Sequence, residues 1–291
     1  MTMSRLHSPA EPEVLAASPW LRRLPLRSPT LPPATHTNLY VVGQGAMLLV
    51  DPGTPDGEEN DRALRALDEL ASEGHRVTAI LLSHHHYDHM SGLEHLQGRL
   101  GVPLWAHAKT AERLRARGLR IDRFIEEGER LPFGPQGLRA LLTPGHAPGH
   151  LCLLDEESGG LIAGDMVASV GTILIETSDG GDMRLYMESL RRLLALQTAR
   201  PLRIWPAHGA SVEEGATLLR FYLHHRQMRE DKVAAALRGG ATTLLGLVPR
   251  AYDDKPDIDP FLAARALLAH LHKLRDEGAA QELEPDVWAP R

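Results

Sequence analysis

Short apolar runs separated by glycine and proline dominate the first two thirds of the chain. Residues 37–42 and 46–50 flank Gly43-Gln44-Gly45 and predict a β-hairpin. Residues 77–82 are almost continuously apolar, which is typical of a strand buried on both faces. Leucines three apart between Asp61 and Ser72 predict an amphipathic helix. Further strands are predicted at residues 102–106, 151–154, 161–165 and 202–206. Strands that alternate with helices favour an α/β fold.

A cluster of metal-binding side chains follows directly on the buried strand at 77–82. The loop reads Ser83-His84-His85-His86-Tyr87-Asp88-His89, which has the spacing His84-x-His86-x-Asp88-His89. An extended backbone points His84 and His86 to the same side. Asp88 and His89 begin a helix, so they diverge from the first pair and can serve a second metal. A histidine-rich surface loop would look similar, so the assignment depends on further donors downstream.

Three later segments each place one more donor after a strand or in a tight turn. Each donor alone has an ordinary explanation, such as a turn acid or a neighbour of a helix cap. Together with the first loop they predict a metal centre with seven donors: His84, His86, Asp88, His89, His146, Asp165 and His208. His150 closes the turn Thr143-Pro144-Gly145-His146-Ala147-Pro148-Gly149-His150 and is expected in the core or behind the ligands. Asp51, at the tip of the strand 46–50, could accept a hydrogen bond from a ligating histidine.

Composition limits the classes of function. The net charge of −6 argues against a broadly basic surface for nucleic acid and leaves room only for a local basic patch. The single cysteine, Cys152, excludes an internal disulfide and a thiolate zinc site, and its apolar neighbours favour a core role. No apolar stretch approaches the length of a membrane span, and residues 1–20 lack the pattern of a secretory signal. We therefore expect a cytoplasmic protein that makes no membrane contact.

Three regions are predicted along the chain. Residues 1–36 are rich in proline and serine and predict an arm or edge segment outside the core. Residues 37–212 contain every predicted donor and form the expected catalytic domain. Residues 213–291 predict a long amphipathic helix, a short helix at 242–248 and a third helix at 260–277.

The order and spacing of the donors resemble the metallo-β-lactamase superfamily. The resemblance runs from Thr37-Asn38-Leu39-Tyr40 to the end of the chain and implies an αββα sandwich with a two-metal site at one edge of the packed sheets. Three ligand roles follow from it. One metal would be held by His84, His86 and His146, the other by Asp88, His89 and His208, with Asp165 bridging both and Asp51 behind the ligands. β-Lactamases of this superfamily usually carry a cysteine in place of Asp165 and are secreted, so antibiotic hydrolysis is not expected.

The ligand set suits chemistry that needs a nucleophile at neutral pH. A divalent metal lowers the pKa of a bound water from 15.7 to about 7, so a hydroxide shared by two metals would attack an ester-type bond. Imidazole and carboxylate donors suit two Zn²⁺, with Fe or Mn as substitutes. Asp88 and Asp165 are therefore expected to be catalytic as ligands. The leaving group would be protonated by a metal-bound water, with His150 or Tyr87 as weaker candidates.

The substrate is the part that the sequence leaves open. Residues 213–291 look like the winged-helix-like tail of lactamase-β-2-like hydrolases, a subgroup with an animal mitochondrial endoribonuclease and thioesterases that release polyketides from carrier protein. No dense basic helix stands out, so a small-molecule or carrier-bound acyl substrate is favoured over single-stranded RNA. Two other functional classes fit the sequence: a persulfide dioxygenase with one iron, and a binding protein with an inactive metal site. Either a monomer or a homodimer fits.

Overall fold

The computed structural model describes residues 13–14 and 18–291, and this part of the chain divides into two compact units. The first unit contains the described residues up to Leu142, together with Gly149–Thr172 and Gln197–Gly215. The second contains Thr143–Pro148, Ile173–Leu196 and Ala216–Arg291. The region expected to form the catalytic domain, 37–212, is therefore shared between the units, because two of its segments belong with the C-terminal region.

Seven strands form the larger sheet of the first unit, and they lie across it in chain order. They are β1 (Glu13–Val14), β2 (Leu21–Arg27), β3 (His36–Val42), β4 (Ala46–Val50), β5 (Arg76–Leu81), β6 (Leu104–Ala106) and β7 (Arg123–Phe124). Neighbours are antiparallel from β1 to β4 and parallel from β4 to β7. The predicted hairpin and the predicted buried strand are both confirmed, as β3–β4 and as β5.

Five strands form the second sheet of this unit, in the spatial order β12-β11-β10-β9-β8. They are β8 (Arg130–Leu131), β9 (Leu138–Leu142), β10 (Leu151–Asp155), β11 (Gly160–Gly164) and β12 (Arg203–Pro206). Strands β11 and β12 are parallel, whereas β8 to β11 are antiparallel to one another. Asp165 and His208 follow the parallel pair and therefore leave the sheet at the same edge.

Four helices belong to the first unit: α1 (Gly57–Ser72), α2 (Tyr87–Met90), α3 (Leu93–Leu100) and α4 (Ala108–Arg115). The Asp56 side chain caps α1 by accepting hydrogen bonds from the backbone N–H groups of Glu58 and Glu59. Helix α3 ends at Gly101, which adopts the left-handed conformation that closes many helices. The helix predicted between Asp61 and Ser72 is thus confirmed, and it begins a few residues earlier, at Gly57.

The central strands of the larger sheet are buried on both faces, which explains their nearly continuous apolar sequence. In β4, Leu48 and Val50 point into a core shared with Leu153 of the second sheet. Met47 and Leu49 point the other way, into a core shared with leucines of α1, α3 and α4. The two-residue period of the strand therefore places one sheet on its inner side and helices on its outer side.

Residues 18–36 lie in the region predicted as an arm or edge segment outside the core, and the structure places part of them in the core. Strand β2 pairs with β3 along its whole length, and Leu21, Leu24 and Leu26 are buried in the two cores. Pro25 lies within β2, opposite Asn38 of β3. The segment is therefore a structural strand near the edge of the sheet. The prolines before residue 13 lie outside the described residues.

The second unit contains α5 (Met183–Leu194), α6 (Gly215–Leu237, from Ala216 onward), α7 (Leu244–Ala251) and α8 (Pro260–Asp276). It also has an antiparallel sheet in the order β13-β15-β14, formed by β13 (Thr242–Thr243), β14 (Ala280–Glu284) and β15 (Val287–Pro290). Its core includes Leu247, Leu267, Leu271 and Trp288. Helices are present at all three places predicted after residue 213, but residues 242–243, predicted as the start of the short helix, form β13 instead. The strands β14 and β15 were not predicted.

A search of the helices in the described part of the chain finds none with both the length and the apolar content needed to span a bilayer.

Candidate metal centre

The loop after β5 brings two histidines together. His84 Nε2 and His86 Nδ1 lie 2.9 Å apart, and the two rings are nearly perpendicular. This confirms that the two imidazoles point to the same side, as expected for an i, i+2 pair on an extended backbone. Tyr87 then begins α2, so Asp88 and His89 lie on its first turn. Gly53 permits this arrangement, because a Cβ there would lie 1.9 Å from the Asp88 carbonyl oxygen.

A buried hydrogen-bond relay fixes the orientation of His84. Asp51 Oδ1 accepts a hydrogen bond from the Ser83 backbone N–H at 2.7 Å, and Asp51 Oδ2 accepts one from Ser83 Oγ at 2.6 Å. Since the hydroxyl has a single proton, it must accept the third contact, from His84 Nδ1 at 3.0 Å. His84 therefore carries its proton on Nδ1 and presents the lone pair of Nε2.

The same carboxylate fixes His89. Asp51 Oδ2 accepts a hydrogen bond from His89 Nδ1 at 2.9 Å. Nε2 is therefore the nitrogen of this fully buried ring that is left for another partner. His89 Nε2 lies 3.4 Å from Asp165 Oδ1 and has no hydrogen-bond partner among the described residues. A buried nitrogen without a hydrogen bond costs free energy unless a cation or another ligand satisfies it. The role of Asp51 towards metal ligands stays a prediction.

His208 reaches the same place from the end of β12. Its Nδ1 donates to the His36 carbonyl oxygen at 2.9 Å, and its Nε2 lies 3.2 Å from Asp165 Oδ1 and 3.5 Å from Asp88 Oδ2. The strand end is held in turn by β3, because the Asn38 side chain donates to the Pro206 carbonyl oxygen at 2.8 Å. His208 thus repeats the arrangement of His89, with Nδ1 occupied and Nε2 directed at carboxylates.

Electrostatics in this cluster favour bound positive charge. Burial alone would lower the pKa of His89, but the carboxylates of Asp165, Asp51 and Asp88 raise it well above its ordinary value. Burial likewise opposes a raised pKa for His208, and Asp165 outweighs it. Burial would raise the pKa of the Asp165 carboxyl, yet His208 and His89 hold it well below the usual range. The carboxylates that favour a proton on these rings would equally favour a metal cation.

The geometry argues against the catalytic role considered for His150. The ring is fully buried, and its Nε2 accepts a hydrogen bond from the Asp165 backbone N–H at 3.0 Å. Burial lowers the pKa of His150 to about 4, so the ring is neutral at pH 7. A Cβ at Gly164 would lie 2.5 Å from the same Nε2, which shows how closely the ring packs against the end of β11. His150 therefore positions Asp165.

His146 belongs to the second unit, on the turn before β10. Its Nδ1 donates to the Leu174 carbonyl oxygen at 2.9 Å, so its Nε2 is the nitrogen left for a ligand. Tyr87, the other weak candidate for proton donation, is 53% exposed, whereas His85 is buried. Sequence reasoning missed the relay function of Ser83 and the clamp by Asn38, although both residues were within the quoted motifs. Their side-chain partners become visible only in the folded chain.

The donors of the first unit form two sets that fit a metal. The ligand atoms within each set lie within 4.8 Å of one another; the sets are His84, His89 and Asp165, and Asp88, His89 and His208. Imidazole nitrogens and carboxylate oxygens without thiolates are the donors expected for Zn²⁺ and for other first-row divalent metals. Together with the orphaned Nε2 of His89, this donor set fits a metal centre.

Comparison with known proteins points to one family. The family model described as "Metallo-beta-lactamase superfamily" matches residues 32–208. The lactamase-like protein vrtG of Penicillium aethiopicum is 34% identical over 232 residues, covering 79% of this chain and 69% of its own. The atrochrysone carboxyl ACP thioesterase of Aspergillus fumigatus is 30% identical over 234 residues, with the same two coverages, 79% and 69%. The beta-lactamase-like protein 2 homolog of Caenorhabditis elegans is 27% identical over 251 residues, covering 84% and 80%.

Solved structures show the same fold. A beta-lactamase domain protein from Burkholderia ambifaria has a TM-score of 0.82 and 23% identity, covering 98% of this chain and 96% of its own. A metallo-beta-lactamase family protein from Thermus thermophilus has a TM-score of 0.76 and 26% identity, covering 95% and 100%. Both likenesses extend over nearly the whole chain, including the C-terminal helices. The α/β sandwich of this fold is therefore confirmed.

Proposed function

Because the chain belongs to the metallo-β-lactamase superfamily, we propose that it is a metal-dependent hydrolase of acyl thioesters or related esters, small or bound to a carrier. The proposed centre holds two metals, preferably zinc. Its ligands are His84, His86 and His146 on one side, Asp88, His89 and His208 on the other, and Asp165 between them. Bound there, such metals would lower the pKa of a coordinated water towards 7 and polarise the attacked carbonyl group.

One observation carries the proposal. The Nδ1 atoms of His84, His89, His146 and His208 each meet a defined acceptor, namely Ser83 Oγ, Asp51 Oδ2, the Leu174 carbonyl and the His36 carbonyl. In all four rings Nδ1 is engaged, which leaves Nε2 as the nitrogen that a metal could bind once the ring has lost its second proton. A histidine cluster that served only packing would have no reason to share one tautomer.

The chain's own groups have distinct parts in this proposal. Asp165 and Asp88 are carboxylates beside histidine Nε2 atoms, so they would hold the metals and neutralise their charge. Asp51 and Ser83 would orient His84 and His89 and keep their protons on Nδ1. His150 would hold the backbone of Asp165 in place from the opposite side. None of these residues is a convincing donor for the leaving group, so we assign that proton to solvent at the site.

The acyl preference is supported by charge and by one relative. The net charge of −6 disfavours attraction to a polyanion such as RNA. The thioesterase from Aspergillus fumigatus is named for an acyl carrier protein substrate, and it aligns with 79% of this chain. A carrier-bound or small acyl thioester is therefore the first substrate class to test.

The test combines metal analysis with a hydrolysis panel. Purified protein is assayed for bound metal and then against acyl thioesters, lactones, phosphodiesters and single-stranded RNA. Asp165→Asn is expected to lose metal and activity together. Asp155→Asn is a matched control, because Asp155 is another buried carboxylate that lies at the other end of β10 from His150. Cleavage of RNA alone would overturn the acyl assignment, and a single iron with oxygen consumption on a persulfide would overturn hydrolysis.

A further inference from the structure

The turn that carries His146 is fixed by backbone contacts within the second unit. His146 Nδ1 donates to the Leu174 carbonyl oxygen at 2.9 Å. Gly145 lies directly against α5, since a Cβ at this position would be 2.2 Å from the Cα of Tyr186. The Asp182 backbone N–H also donates to the Gly145 carbonyl oxygen at 2.8 Å. The orientation of the imidazole therefore depends on where Leu174 and Tyr186 lie.

Arg226 on α6 contacts the neighbours of both anchors. Its Nη2 donates to the carbonyl oxygen of Ile173, the residue before Leu174. Its Cζ lies 5.3 Å from the centre of the Tyr186 ring, in the geometry of a cation–π contact. One side chain thus touches both elements against which the His146 turn is packed.

The environment of Arg226 is unusual for an arginine. Its side chain is buried, its Nε makes no hydrogen bond, and no carboxylate pairs with it among the residues that the structure describes. Burying a guanidinium without a carboxylate costs free energy that an apolar side chain of similar length would not. The stability of the unit therefore gives no clear reason for an arginine here, whereas the backbone contact and the ring contact do.

A second arginine holds the same segment further along. Arg265 on α8 pairs with Glu176, and the Glu176 carboxylate also accepts a hydrogen bond from the Ser178 backbone N–H at 3.2 Å. The segment that supplies the Leu174 carbonyl is thus tied to α6 at Ile173 and to α8 at Glu176. The C-terminal helices fix it on both sides of the atom that orients His146.

We infer that Arg226 is a positioning residue for the metal centre, and that it sets the affinity of the metal held by His146 by fixing Ile173 and Tyr186. The inference rests on the proposed function in one respect, namely that His146 is a ligand. Loss of a partner that orients a ligating histidine typically weakens metal binding 10- to 100-fold. Arg226 would on this basis tune the metal that His146 binds.

The decisive comparison is between Arg226→Met and Arg229→Met, with His146→Ala as the reference. Arg229 is also a buried arginine on α6, but it binds the Ala251 carbonyl, Asp254 and the Tyr252 ring, away from the His146 turn. Metal affinities are measured by chelator competition and thermal stability is measured in parallel. We expect Arg226→Met to weaken one metal about 10-fold or more, the same metal that His146→Ala weakens. We expect Arg229→Met to lower the unfolding temperature and keep both metals.

Two results would overturn the inference: wild-type affinity for both metals in Arg226→Met, or loss of the same metal in Arg229→Met. If Arg226→Met does not fold, Arg226→Lys decides by the same measurement, since an ammonium group keeps the charge but cannot replace both contacts. A wild-type protein that binds metal but hydrolyses nothing contradicts the proposed function alone. An unaffected His146→Ala contradicts the ligand role of His146 and the inference with it.

Discussion

The Asp51 carboxylate accepts a hydrogen bond from His89 Nδ1 at 2.9 Å and from Ser83 Oγ at 2.6 Å, and both contacts are buried. Ser83 Oγ in turn accepts a hydrogen bond from His84 Nδ1. One side chain therefore determines the proton positions of two proposed ligands, assigned to different metals. Asp51 adopts a positive φ of 59°, a conformation that aspartate and asparagine tolerate better than most residues.

The first prediction is that Asp51→Asn weakens both metals. Asparagine can keep the backbone conformation at this position, so the fold should survive. Its amide cannot accept from the Ser83 N–H, Ser83 Oγ and His89 Nδ1 together, so the two rings lose their fixed tautomers. Chelator competition should show affinities about 10- to 100-fold lower than in the wild type. Unchanged affinity with an unchanged fold would contradict the relay.

The second prediction concerns metal removal. Metal that binds only the folded state stabilises it, by about 4 kcal/mol when the free metal exceeds its Kd 1,000-fold. Chelation should therefore lower the unfolding temperature by on the order of 10 °C, and added Zn²⁺ should restore it. Calorimetry provides the measurement.

The matched pair Asp165→Asn and Asp155→Asn separates site loss from general destabilisation. We expect Asp165→Asn to abolish the response to Zn²⁺ and Asp155→Asn to retain it, because only Asp165 lies beside histidine Nε2 atoms. A Zn²⁺ response that survives in Asp165→Asn would contradict the bridging assignment.

The pair His84 and His86 could be predicted from sequence because its spacing is local. His84 and His86 are two residues apart on an extended loop, and strand periodicity alone sets their common direction. The role of Arg226 could not be predicted this way. Its partner Ile173 is 53 residues away, and which face of α6 meets that carbonyl depends on the fold.

The errors in the fold have similarly specific causes. Proline content predicted an arm or edge segment outside the core before residue 37, but β2 contains Pro25 and still pairs with β3 along its whole length. Strand β14 carries mostly polar, exposed residues, and β15 is only four residues long, so no alternating pattern marked either strand. No local sequence signal indicates that residues 37–212 are divided between two units, since the division reflects long-range contacts of residues 143–148 and 173–196.

The third prediction is that Gly53→Ala disrupts the site. A Cβ at Gly53 would lie 1.9 Å from the Asp88 carbonyl oxygen, so the loop that carries Asp88 must move. We expect a loss of stability of about 1–3 kcal/mol and weaker binding of the metal assigned to Asp88. Gly57→Ala is the control, because its Cβ would meet no atom within 4 Å. Equal behaviour of the two variants in urea unfolding and metal titration would refute the steric argument.

The last prediction concerns pH and the second unit. Burial, together with the charges of Arg226 and Arg229, lowers the pKa of His225 to about 4. The His225 ring therefore takes up a proton near pH 6.5 in the unfolded chain and only near pH 4 in the folded chain. Its contribution to folding stability is fully present above pH 6.5 and is lost as the pH falls from 6.5 to 4. Because the ring is only partly buried, we expect a loss on the order of 1 kcal/mol. The free energy of unfolding of metal-free protein is measured in urea at pH 7.5 and at pH 5. It should change less between the two pH values in His225→Gln than in His224→Gln, since His224 is an exposed residue on the same helix. If both variants keep the wild-type difference, the titration of His225 does not contribute to the acid sensitivity of the fold.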